Sequence, residues 1–73
     1  MKVKIRLDTF GQAKEFSEVV SGIPNKVLIT DNSGLAVNAK SLLGALHAME
    51  FSELWCTCEK DIYSTIEKFV VIE

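Results

Sequence analysis

The stretch Val37-Asn38-Ala39-Lys40-Ser41-Leu42-Leu43-Gly44 changes its period partway along. On its N-terminal side, Leu35-Ala36-Val37 is a short apolar run that leaves the polar cluster Asp31-Asn32-Ser33-Gly34, and it reads as a strand departing from a hairpin turn. On its C-terminal side, Leu42, Ala45, Leu46 and Met49 recur at i, i+3, i+4 and i+7, the spacing of one helix face. Ser41 stands at the junction, where a hydroxyl can accept from the free N–H groups of a first helical turn. The segment is therefore a strand-to-helix corner. Gly44 is a mild weakness inside the helix, which is not expected to extend far beyond Glu50.

Working outward, Val27-Leu28-Ile29-Thr30 reads as a strand that pairs antiparallel with Leu35–Val37 through the turn. Upstream, Thr9 followed by Gln12 fits a capping box, and Ala13, Phe16 and Val20 share one face of the helix behind it. That helix is expected to stop near Ser21-Gly22, since Pro24 blocks continuation. At the start of the chain, Val3, Ile5 and Leu7 alternate with Lys2, Lys4 and Arg6, the pattern of a strand with one wet face. Leu54, Cys56 and Cys58 alternate with Trp55, Thr57 and Glu59 in a fourth strand, after which Asp61 can cap a last helix carrying Ile62, Ile66, Phe69 and Val70 on one face. The order β-α-β-β-α-β-α predicts an α+β open-faced sandwich, a four-stranded antiparallel sheet with three helices on one face.

Composition sets the outer limits. The 73 residues are read as a single domain, residues 1–73, and a hydrophobic share of 48% with 25% charged residues is that of a globular chain. Eight basic residues spread along a chain of net charge -2 form no clustered basic face, so nucleic acid is not expected as a partner. The apolar runs fall far short of the ~20 residues that span a bilayer, and Met1-Lys2-Val3-Lys4 leads into a strand pattern rather than a signal-peptide core. A cytoplasmic location without membrane insertion is the expectation. Cys56 and Cys58 share a face of one strand with diverging backbones, which disfavours a disulfide and favours core packing. The alternative, metal binding together with His47, has a poor ligand spacing, so neither metal nor cofactor is expected. Trp55 is placed on the sheet face away from the helices, with Lys4, Leu28 and Thr57 as neighbours, where an uncovered apolar face can mark an interface. Monomer and homodimer, through that face or through the first strand, both remain open.

The run Val37 to Gly44 resembles the V-N-[AL]-K-S-[IL]-[ML]-G segment of the HPr family, the small phosphocarriers of the bacterial sugar phosphotransferase system, and of its paralogue Crh. The opening stretch Lys2 to Ala13 is similar in pattern to the start of Crh. The resemblance implies an HPr-like sandwich. In the family, a loop reading G-[LIV]-H-[AT]-R-P-A holds the histidine that receives phosphate. Aligned through Gln12-Ala13, this chain has Gln12 in place of that histidine, as Crh has glutamine, with Lys14 in place of the arginine and Glu15 in place of the proline. An amide nitrogen has its lone pair delocalised into the carbonyl and is no nucleophile, whereas a neutral imidazole is one. Gln12 then marks a degenerate phosphocarrier position, or it is simply a helix-capping residue; the loop lacks histidine in either case. The single histidine, His47, lies two turns into the second helix and is expected at the surface or in an interface rather than in catalysis.

By the same resemblance, Ser41 is the target of HPr kinase/phosphorylase, and Lys40, Leu42, Leu43 and Leu46 match the patch that docks partner proteins, a catabolite-control regulator among them. Each has a plainer reading: Ser41 as a helix cap only, the leucines as ordinary core, Lys40 as a solvated lysine. Two further readings stand beside this one, an ACT-like small-molecule sensor, which shares the β-α-β-β-α-β order, and a decoy domain without any switch. No nucleophile–base pair, glycine-rich phosphate loop or carboxylate pair can be placed, so an enzyme is not expected.

Overall fold

The structure is a computed structural model that describes residues 1–72. It contains β1 (Lys2–Ile5), α1 (Phe10–Ser21), β2 (Val27–Thr30), β3 (Ala36–Asn38), α2 (Leu42–Ala48), β4 (Leu54–Cys58) and α3 (Tyr63–Ile66), the last running into a 3-10 turn, Glu67–Phe69. The strands form one sheet in the order β1-β4-β2-β3, and every neighbouring pair is antiparallel. This is the α+β arrangement that the alternating patterns predict. No helix among the described residues is long and apolar enough to cross a membrane.

The β2–β3 hairpin is closed by its own polar side chains. The Asp31 carboxylate accepts from the backbone N–H groups of Ser33 at 2.8 Å and Leu35 at 3.0 Å, and from the Ser33 hydroxyl. Loss of solvent alone would raise the Asp31 pKa, but these hydrogen bonds outweigh it and hold the carboxyl below its usual range. Gly34 completes the turn at φ 98, a left-handed conformation that glycine adopts without a Cβ penalty.

The inward face of the sheet carries Ile5, Val27, Ile29, Leu54, Cys56 and Cys58, all buried against Ala13, Phe16 and Val20 of α1 and Ile66 and Phe69 near the C-terminus. The Phe16 and Phe69 rings meet edge to face with centroids 5.1 Å apart, the favoured aromatic geometry. On the opposite face, Lys4 is registered against Trp55 and Leu28 against Thr57, the neighbours expected from the alternation. Trp55 is anchored there by its Nε1–H, which donates to Glu53 at 3.3 Å, and the Lys2 ammonium sits 5.3 Å from its ring centroid.

Three details depart from the sequence expectation. The third strand runs Ala36–Asn38 rather than Leu35–Val37, because Asn38 stays registered against Leu28 while Leu35 belongs to the turn. The inner face of α2 is built from Ala45 and Ala48, both fully buried, while Leu42 is exposed and Leu46 and Met49 lie only partly buried at the margin of the core. The last helix is short. Ile62 rather than Asp61 stands at its N-cap, with Asp61 one residue ahead accepting from the Tyr63 N–H at 3.0 Å; Ile62, Ile66 and Phe69 are buried as expected, but Val70 leaves the helix and pairs with Ile5 in an isolated antiparallel bridge. Arg6 N–H donates to the Phe69 carbonyl and Val71 N–H to the Lys4 carbonyl, each at 2.9 Å. An open strand edge leaves polar groups unpaired, and the chain covers that of β1 with its own C-terminal residues.

Candidate functional site, the corner between β3 and α2

The corner is fixed by its backbone before its side chains matter. Ala39 is fully buried and its N–H donates to the Val27 carbonyl at 2.9 Å, which continues the ladder one residue past β3. Asn38 then turns the chain: its Oδ1 accepts from the Lys40 N–H at 3.0 Å, and its carbonyl accepts from the Ser41 N–H at 3.2 Å. Ser41 has extended backbone angles, φ -90 and ψ 125, and its Oγ accepts from the Gly44 N–H at 3.2 Å. It is an N-cap of the standard kind, half-buried.

Gly44 has a necessity that its helix propensity hides. A Cβ placed there would lie 2.5 Å from the Asn38 carbonyl oxygen, a backbone atom that cannot swing aside. The expected weakness of α2 is therefore the condition for its close approach to β3. Ala45 and Ala48 fill the inner face of the helix, and the larger Leu42 and Leu43 lie outside it. Leu43 is 78% exposed and Leu42 39% exposed, with Leu46 half-buried beside them, so Ser41 stands next to an uncovered apolar surface.

Lys40 is not free in solvent. Its Nζ donates to the Ile23 carbonyl, and its own carbonyl accepts from Ser17 Oγ at 3.0 Å. Ser17 is a buried hydroxyl on the inner face of α1. The sequence carries a signal for it that spacing alone passes over: a polar residue at 17 within the apolar stripe Ala13, Phe16 and Val20 needs an internal partner. Asn38 was legible in the same way, as an Asx-turn residue directly ahead of the helix.

Gln12 is the third residue of α1 and lies at its exposed N-terminal end. Its N–H donates to Thr9 Oγ1 at 3.1 Å, one half of the expected capping box, while its Oε1 accepts from the Asp8 N–H at 2.6 Å, one residue ahead of the cap. Glu15 is paired with Lys68 on the surface. His47 is exposed in the last turn of α2, its ring centroid 5.9 Å from that of Phe51. Burial, reinforced by the neighbouring Cys58 and only partly offset by the N-terminal amine, pushes the Cys56 thiol up to about 12. A thiol so placed is not ionised at neutral pH and is no nucleophile. Both cysteines are free and buried in the core, and no group of three or more His, Cys, Asp or Glu among the described residues converges to hold a metal.

Compared with known proteins, the chain matches no family model, no curated protein and no solved structure.

Proposed function

We propose that this chain is an HPr-like regulatory or interaction module of the phosphotransferase type, which does not carry phosphate on histidine and does not act as an enzyme. Its working parts are Ser41 as the modified residue and Leu42, Leu43 and Leu46 as a docking surface for partner proteins, with Lys40 at its border. The observation that supports this most directly is the exposure of Leu42 and Leu43 immediately beside a serine that caps their helix. Such leucines gain nothing for the fold by facing water, and a contiguous apolar group next to a modifiable hydroxyl is what a switchable protein contact requires. In the reaction proposed, Ser41 Oγ attacks the γ-phosphorus of ATP. The Oγ–P bond forms as the bond to the ADP leaving group breaks, and the hydroxyl proton passes to a base of the kinase. A phosphate there adds about -1.5 to -2 of charge at the edge of the leucine patch, enough to alter partner choice without refolding the domain.

The test is incubation with HPr kinase/phosphorylase and ATP, followed by mapping of the phosphorylated residue. Stoichiometric phosphate on Ser41, abolished in Ser41→Ala, is the expected result. No incorporation, or incorporation elsewhere, removes the reading, as does acid-labile phosphorylation by enzyme I, the family's phosphohistidine donor.

A further inference from the structure

Lys40 uses all three of its polar groups within the protein. Its N–H donates to Asn38 Oδ1 at 3.0 Å, its carbonyl accepts from Ser17 Oγ at 3.0 Å, and its Nζ donates to the Ile23 carbonyl. These partners lie in three separate places: the β3–α2 corner, the inner face of α1, and the loop that joins α1 to β2. Each contact answers a need of its partner. The Ser17 hydroxyl is buried in α1 and would be costly without an acceptor. Ile23 lies beyond the end of α1, ahead of Pro24, so its carbonyl has no N–H of that helix to accept from. The residue directly before Ser41 thus ties the β3–α2 corner to α1 and to the loop that follows α1.

We infer that Lys40 is a positioning residue for Ser41. By fixing the corner, it holds Ser41 in the extended geometry that directs Oγ onto the Gly44 N–H, and its ammonium is committed to Ile23 instead of being offered to a partner. This revises the role expected for Lys40 from docking contact to clamp. The importance of Ser41 as a modified residue rests on the reading given above; the clamp itself does not.

Amide hydrogen exchange followed residue by residue by NMR tests this in the intact chain, comparing Lys40→Met, which keeps the stem and loses the donor, with Lys40→Arg, which keeps a donor. Loss of one hydrogen bond from the clamp should raise exchange of the Gly44 amide about fivefold in Lys40→Met, with a smaller change at Cys56 in β4, and Lys40→Arg should recover most of it. Ser17→Ala, which removes the second tie, should also raise exchange at Gly44. The inference is overturned if Gly44 exchange does not change in Lys40→Met, if it rises no more than that of Cys56, or if Lys40→Arg behaves as Lys40→Met does. The measurement needs no kinase, so a wild-type chain that accepts no phosphate overturns the reading of Ser41 while the clamp is judged on its own data.

Discussion

The N-terminal ends of α1 and α2 use the same local chemistry and differ in everything around it. Thr9 caps α1 through a hydroxyl that accepts from Gln12 N–H at 3.1 Å, and Ser41 caps α2 through one that accepts from Gly44 N–H at 3.2 Å. At the third helical position, α1 carries Gln12, whose side chain turns back to the Asp8 N–H. The equivalent position of α2 can carry no side chain, because Asn38 stands against it. Behind its cap, α1 sends Phe16 and Val20 inward, whereas α2 sends alanines. Close approach of a neighbouring backbone therefore demands glycine at the third position of α2 and leaves that position of α1 free to carry a side chain. Both ends leave apolar side chains in water, Phe10 at 58% exposure at the start of α1 and Leu42 and Leu43 at the start of α2, and capping accounts for none of them; only at α2 do they stand side by side.

The strongest test of this contrast uses a glycine at each end. Gly44→Ala forces a Cβ onto the Asn38 carbonyl and should destabilise the chain by about 2 to 3 kcal/mol, the cost of overpacking a close contact. Gly11→Ala in α1 would meet only Thr9 Oγ1 at 3.8 Å, an ordinary contact. It should be neutral or stabilise by roughly 0.5 to 1 kcal/mol through helix propensity. Urea midpoints of the two variants measure the difference directly, and similar midpoints would show that α2 does not depend on its closeness to β3.

The caps come next in size. Thr9→Ala and Ser41→Ala should each cost about 1 kcal/mol, and the double variant should be close to additive because the two hydroxyls share no partner. Gln12→Ala should cost less, about 0.5 kcal/mol, and should speed exchange of the Asp8 amide, since only one exposed hydrogen bond is lost. Denaturation curves paired with residue-level exchange separate these effects. A Ser41→Ala loss far below that of Thr9→Ala would mean that the α2 hydroxyl is spared from structural duty.

What the sequence disclosed follows the same division. Period-two alternation placed β1 and β4, since it is imposed by the pleat whatever lies above it, and short apolar runs on either side of a polar turn placed β2 and, one residue early, β3; the stripe Ala13, Phe16 and Val20 identified the inner face of α1 because large apolar groups announce themselves. The face of α2 is legible only in part: Ala45 is inside and Leu46 and Met49 pack against the core, but Leu42 is exposed and Ala48 is passed over. Spacing arguments give weight to leucine and little to alanine, and the nearness of Asn38, which demands glycine at position 44, joins residues that local pattern does not relate. Spacing puts Val70 on a helix face, but the unpaired edge of β1 claims it. At the corner, Ser41 as a cap was legible from residue type alone. The tie from Lys40 to Ile23 joins residues far apart in the chain and could not be read from local pattern.

The smallest effect on stability is expected where the functional reading is most exposed. Leu43 is 78% accessible, so Leu43→Ser removes almost no buried area and should change the urea midpoint by no more than about 0.5 kcal/mol. Leu46→Ser reaches the margin of the core and should cost more. If the patch is only a by-product of close packing at the corner, Leu43→Ser should leave phosphorylation of Ser41 by HPr kinase/phosphorylase at the wild-type rate. If partners dock on it, the rate should fall by about tenfold or more, the loss of a well-packed apolar contact, in a protein whose stability has not moved. The outcome separates a leucine displaced outward by its neighbours from one that faces outward in order to be recognised.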